Sequence, residues 1–306
     1  TLHGITVFVL VCLMLIPALS AATSLVNWLI TLVVRPRNLP KLNFKEEIPE
    51  PYQTLVVIPA LITGREEIES LAHQLELHYL RNPEPGLLFA LLTDFPDADQ
   101  ETLPEDAGLV EHTASAIEML NARYGSIVPI PGGAGASDDE QTEAAYPSEA
   151  PRFYFLHRKR LWNPSERKWI GWERKRGKLH ELNRLLRGET GLSFITQSGD
   201  TRADASPLRQ VRFVITLDAD TILPMGAASR LVGTLAHPLN RAVFDPATGQ
   251  VVSGYTVLQP RMEIHPKSAN YSWFTRFFAG DAGLDLYTLA ISDAYQDLFG
   301  EGIYVG

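Results

Sequence analysis

Hydrophobic and polar positions divide this chain into one long apolar run, a proline-rich stretch and a series of short mixed segments. From Gly4 to Val34 there are 31 positions without a charge, mostly Val, Leu, Ile and Ala. One membrane span needs roughly 20 apolar residues and two need about twice that, so the run falls between them. Pro17, Ser20, Thr23, Ser24 and Asn27 interrupt it. It reads as one tilted or kinked helix, or as the end of a span near Ile16 followed by a second from about Ala18 to Val34. The start at Thr1 favours the second reading. A signal peptide would be shorter and have a basic leader. Arg35, Arg37 and Lys41 follow at once, so the positive-inside tendency places what comes next in the cytoplasm. Pro36 to Pro51 holds four prolines and reads as an extended linker. The expected layout is transmembrane segments over 1–34, a linker over 35–53 and a domain over 54–306.

Beyond residue 53 the pattern alternates between strand and helix. Thr54 to Pro59 (TLVVIP) and Leu87 to Thr93 (LLFALLT) are short continuous apolar runs, as in strands buried on both faces of a parallel sheet. Between them, Ile68, Leu71, Ala72, Leu75 and Tyr79 keep one helical face, with Thr63 and Glu66 spaced as a capping box. A second helix runs from about Leu109 to Tyr124, with Val110, Ile117, Leu120 and Tyr124 inward and Gly125 as its stop. Phe153 to His157 is a third strand. Leu179, Leu182, Leu185 and Leu186 mark a helix ending at Gly188. Val211 to Leu217 is a fourth buried strand, and Val251 to Leu258 a fifth. The alternation predicts an α/β domain with a largely parallel sheet. Ile130 to Pro151 breaks it, with Gly132, Gly133, Gly135, five acidic residues and no Lys or Arg, and reads as a mobile insertion.

Composition narrows the class. With 27 basic and 36 acidic residues the net charge is −9, which argues against a nucleic-acid partner. The single cysteine, Cys12, excludes an intramolecular disulfide and a cysteine zinc site. The chain starts without Met and ends in an apolar, glycine-rich run, so a piece of a longer protein is expected.

In open α/β sheets, ligands bind beyond the carboxyl ends of the strands. Asp94 ends the second strand there, and Asp218-Ala219-Asp220 follows the fourth. Two carboxylates two residues apart suit a hard cation, Mg²⁺ or Mn²⁺, that keeps room for substrate phosphates. A bare Asp-x-Asp is also common in capped turns; its place behind a strand favours the metal. From Arg152 to Arg187 the chain carries 12 Lys and Arg against 3 Glu. That block, with Trp162, Trp169 and Trp172 inside it, reads as an anion site for a sugar nucleotide; a solvated face and core tryptophans are the alternatives. Lys178, placed where Gly177 opens the helix, meets a phosphate together with free backbone N–H groups. On that reading most of the other arginines only steer the anion or line the acceptor path, so Lys178→Ala weakens UDP binding far more than Arg158→Ala or Arg187→Ala.

The runs FLHRKRLWN (Phe155–Asn163), GWERKRGKLHELNRLLRG (Gly171–Gly188), FVITLDADT (Phe213–Thr221), LQPR (Leu258–Arg261) and FGEGIYVG (Phe299–Gly306) resemble the glycosyltransferase domain of cyclic β-1,2-glucan synthases. The resemblance covers roughly Val26 to Gly306. It implies a GT-A-like fold in a large enzyme of the bacterial inner membrane, with the domain facing the cytoplasm. It implies UDP-glucose as donor, a growing β-1,2-glucan as acceptor, and further domains that trim and cyclise the product. Residue by residue, it implies donor contacts at Asp94, Lys178 and Gln259 and metal ligands at Asp218 and Asp220. An inverting transfer needs a carboxylate base; related transferases carry it further after the metal motif, and none is assigned here. A tethered sugar-nucleotide-binding module without turnover and a nucleotidyltransferase are the rival readings. Only Gly64 follows the first strand where a nucleotidyltransferase would show a glycine-rich loop.

Overall fold

The structure is a computed structural model that describes residues 2–34, 37–44, 47–124, 151–195, 207–260, 272–273 and 291–299. The chain forms two compact units, Thr1–Pro40 with Ala242–Gly306, and Lys41–Arg241.

In the first unit the apolar run is a single helix, α1 (Leu2–Val33), with Pro17 inside it. The predicted break after Ile16 is absent. Pro17 removes one N–H from the helical ladder, and the apolar run continues on both sides of it. Its segment Leu10–Val33 is 24 residues long and apolar enough to cross a membrane, with little of it buried. At 1.5 Å per residue that is about 36 Å, against a hydrocarbon core of about 30 Å.

The second unit is built on a sheet. Its elements in chain order are β1 (Thr54–Leu61), α2 (Arg65–Arg81), β2 (Leu87–Asp94), α3 (Asp106–Tyr124), β3 (Phe153–Arg158), β4 (Leu161–Asn163), β5 (Lys168–Ile170), α4 (Arg174–Leu186), β6 (Phe194–Ile195), β7 (Phe213–Thr216) and α5 (Ala227–Ala236). The five-stranded order is β6-β3-β2-β1-β7. β1 pairs in parallel with β2 and β7, and β2 with β3; only β6 runs antiparallel. The protein is therefore α/β with a mostly parallel sheet flanked by helices.

Period-two geometry explains both faces. Val56, Ile58 and Ala60 of β1 pack with Phe89 of β2, Leu71 and Leu75 of α2, Ile117 of α3 and Val232 of α5. Leu55 and Val57 point the other way, with Leu88, Ala90 and Leu182 of α4. All eight residues of β2 are buried, as a strand covered on both sides requires. The stretch read as a linker contributes Ile48 to this core, fully buried, and Leu42 bonds to Gly233 of α5 at 2.9 Å.

Four expectations are corrected. α2 is capped by extended Gly64 without a side-chain bond, so Thr63 and Glu66 make no capping box. β7 is shorter than predicted and alternates half-buried with exposed residues, because it pairs only with β1 among the described strands. Gly177 lies inside α4, which starts at Arg174, so Lys178 sits one turn in and not at a free end. The predicted fifth strand is only β9 (Val251–Ser253), paired with β8 (Val243–Phe244) in a two-stranded antiparallel ribbon of the first unit. A last helix, α6 (Ile291–Phe299), belongs to that unit too, where Asp297 accepts the Arg37 backbone N–H at 2.6 Å. Most of the predicted insertion from Ile130 to Pro151 lies outside the described residues.

Candidate active site

The chain steps from β1 outward to β2 and β3, then returns to add β7 on the other side of β1. Ligands of open α/β sheets bind beyond the carboxyl ends of the strands at such a change of direction. Asp94 closes β2 at this edge and Arg158 closes β3, and the register places them side by side. Arg158 Nε donates to Asp94 Oδ1 and Nη2 to Oδ2, each at 2.8 Å. This two-pronged pair is buried on both partners.

α4 lies across the same edge. Lys178 Nζ is 3.3 Å from Asp94 Oδ2 and donates to the Ala60 carbonyl at 2.6 Å. One turn earlier, Lys175 Nζ donates to Asp218 Oδ1 at 2.6 Å. Lysines three residues apart share one helix face. α4 thus brings two acids predicted separately, Asp94 and Asp218, under one pair of lysines. Asp220 is exposed beside Asp218. Gln259 belongs to the other unit, exposed beyond β9.

Two glycines permit this approach. A Cβ on Gly171 would stand 2.6 Å from Asp94 Oδ2, and one on Gly177 would stand 1.9 Å from the Trp172 carbonyl oxygen. Arg158 Nη2 donates also to the Arg174 carbonyl at 3.1 Å, which ties the start of α4 to the sheet. Arg158 Nη1 is 3.6 Å from Glu181, whose carboxylate accepts the Ser193 hydroxyl.

The basic block is therefore largely neutralised within the fold. Arg160 pairs with Asp106, Arg174 with Asp97 and Glu166, and Arg184 with Glu189. The pairing of Arg158 was missed from sequence, although Asp and Arg end consecutive strands. A charge count carries no register.

Burial sets the electrostatics. It pushes the Lys178 ammonium down from its ordinary range, against the pull of Asp94. His157 shares a hydrogen bond with Thr93 at 2.7 Å, and its Nε2 has no partner among the described residues. Burial lowers its pKa to about 4, and lowers that of His78 to about 4 as well. Both are neutral in the folded protein at pH 7. Below pH 6.5 the unfolded chain takes up protons that the folded chain refuses, so stability is lost as pH falls from 6.5 through 4. Each histidine contributes a slope of at most about 1.4 kcal/mol per pH unit there. Urea unfolding at pH 7 and pH 5 should show this loss, and His157→Gln should reduce it. An equal pH dependence in the variant would assign the effect to other groups.

Over 299 residues the chain is 41% identical to the cyclic beta-(1,2)-glucan synthase NdvB of Rhizobium meliloti (strain 1021). The chain resembles a segment of a cyclic β-(1,2)-glucan synthase. The match takes in 97% of this chain and 10% of that protein, so the chain spans about a tenth of the length of the curated relative it matches. No protein-family model matches the chain. The aligned segment holds the sheet, the two acids and α4, so the resemblance read from the sequence runs through the whole candidate site.

Proposed function

We propose that this chain is the donor-binding part of a membrane-bound, inverting glucosyltransferase that uses UDP-glucose to build β-1,2-glucan. The observation that carries the reading is α4, which sets Lys175 against Asp218 and Lys178 against Asp94 at the carboxyl edge of the sheet. The similarity to a protein named cyclic beta-(1,2)-glucan synthase supports the glucan as product. The helix α1 supports membrane attachment, in the bacterial inner membrane with the sheet unit in the cytoplasm.

Asp218 and Asp220 fit a divalent cation. Both are exposed, both offer oxygen, and Mg²⁺ commonly takes one or two carboxylates with substrate phosphates completing its shell. Among the described residues no group of three His, Cys, Asp or Glu forms, so the remaining ligands fall to phosphate and water. Such a cation neutralises the charge that builds on a departing diphosphate. Lys175 and Lys178 add positive charge at the same edge and Asp94 holds Lys178 in place; the resemblance assigns Gln259 a donor contact. In an inverting transfer the acceptor hydroxyl attacks glucose C1 opposite the diphosphate. The C1–O bond to UDP breaks as the new glycosidic bond forms, and the hydroxyl proton leaves to a base.

Calorimetry of the full chain in detergent, with UDP-glucose added, tests this. Binding is expected with Mg²⁺ or Mn²⁺ and is expected to fall when the cation is chelated. Absence of UDP-glucose binding with either cation would remove the reading.

A further inference from the structure

The hairpin β4–β5 and the start of α4 line an open cleft of about 390 Å³ on the sheet unit. That volume lies within the range of small-molecule sites. Its walls carry two tryptophans that the core leaves open, Trp162 at 49% and Trp172 at 40% exposure. Trp162 pairs across the hairpin with Trp169, with ring centroids 5.8 Å apart, and Trp172 meets His180 edge-on. These contacts hold the two exposed rings without covering them.

Polar groups stand between the rings. Asn163 Oδ1 accepts the N–H groups of Ser165 and Glu166, and its own amide donors have no partner among the described residues. Glu166 and Glu173 line the cleft with Arg174. Arg174 is already committed, to Asp97 at 2.9 Å and to Glu166 at 2.8 Å. Glu173 in turn meets Arg176 at 3.5 Å, so the charges of this lining answer one another although it sits in the most basic part of the chain. Its one guanidinium, on Arg174, is already held by carboxylates and offers little to a diphosphate. A neutral ligand with one apolar face and many hydroxyls suits this lining. The C–H face of a pyranose ring lies on the negative face of an indole, and carboxylate and amide groups take its hydroxyls.

The backbone is held in a costly shape at the same place. Glu173 and Arg174 are consecutive left-handed residues, with φ of 51° and 46°. Such a position is strained in a residue other than glycine and persists where the surroundings impose it. Here the turn directs Trp172 and Glu173 into the cleft wall.

We infer that the Trp162–Trp172 cleft binds a neutral glucan chain, as a sugar subsite separate from the Asp218 and Lys175 edge. The site rests on this geometry; that the sugar is a β-1,2-glucan rests on the proposed function. The test is titration of the full chain in detergent with a short linear β-1,2-linked glucooligosaccharide, read by calorimetry and tryptophan fluorescence. Trp162→Ala is expected to weaken binding roughly tenfold, the loss of one aromatic face, while Trp162→Phe keeps most of it. Trp172→Ala, outside the cross-strand pair, should weaken it similarly and guards against a hairpin that fails to form. No binding by the unaltered chain, or binding by both alanine variants as tight as that of the unaltered chain, would overturn the site. Displacement of the saccharide by UDP would overturn the ligand class. UDP-glucose titrated on the same samples separates the two proposals. Saccharide binding without UDP-glucose binding keeps the cleft and removes the transferase, and the converse removes the cleft alone.

Discussion

Replacing Arg158 with leucine should cost the sheet unit about 3–5 kcal/mol of stability, enough to unfold a marginal domain. Arg158 has no exposed surface, and Asp94, its partner at 2.8 Å, is 2% exposed. Removing the guanidinium leaves a buried carboxylate with Lys178 at 3.3 Å as its remaining cation. Lys178 cannot move far, because its ammonium also bonds the Ala60 carbonyl. Glu181 loses its nearest arginine, and the Arg174 carbonyl loses a donor at the start of α4. The contrast is Arg176→Leu, also in the basic block. Arg176 is 81% exposed and meets Glu173 only at 3.5 Å, so its loss should be close to neutral. Urea unfolding followed by tryptophan fluorescence measures both. Asp94→Leu combined with Arg158→Leu should recover part of the loss, since no buried charge is then left alone. A loss below about 1 kcal/mol for Arg158→Leu would show the pair to be dispensable. The charge of Arg158 is spent inside the fold, so its loss acts first on stability and not on anion steering.

Asp218→Asn and Asp220→Asn should each lower cation-dependent UDP-glucose binding by on the order of 100-fold while leaving the fold intact. Both side chains are exposed, so neither change buries an unpaired group. Asp218→Asn releases Lys175, which is half-exposed and can turn to water. The stability effect should therefore stay within about 0.5 kcal/mol. The same titration without cation separates the metal from the lysines. If Asp218 and Asp220 hold the cation, both variants and the unaltered chain should bind equally weakly there. Full cation-dependent binding by either variant would exclude that residue as a ligand. If the proposed transferase reading holds, glucose transfer should be lost with the binding.

Local pattern was enough for β1, β2 and β3. Each is a short apolar run, and a strand covered on both faces needs no information from its neighbours to be recognised. The inward faces of α2 and α3 followed from helical spacing, and Ile68, Leu71, Leu75, Val110, Ile117 and Leu120 are buried as expected. Asp94 and Asp218 at strand ends were legible for the same reason. The hairpin β4–β5 was hidden, because its three-residue strands lie among charges and show no alternation long enough to read. The start of α4 was placed too late, since Gly177 looks like a boundary in one dimension. Its role is steric: a Cβ there would stand 1.9 Å from the Trp172 carbonyl oxygen. What the tertiary structure alone decided is partnership. The register of β2 against β3 turns Arg158 from a steering charge into the buried partner of Asp94. The course of α4 gives Lys175 and Lys178 their separate acids. Both depend on residues far apart in the chain meeting in space, and electrostatic and packing energies are set by those distances, which no local pattern contains.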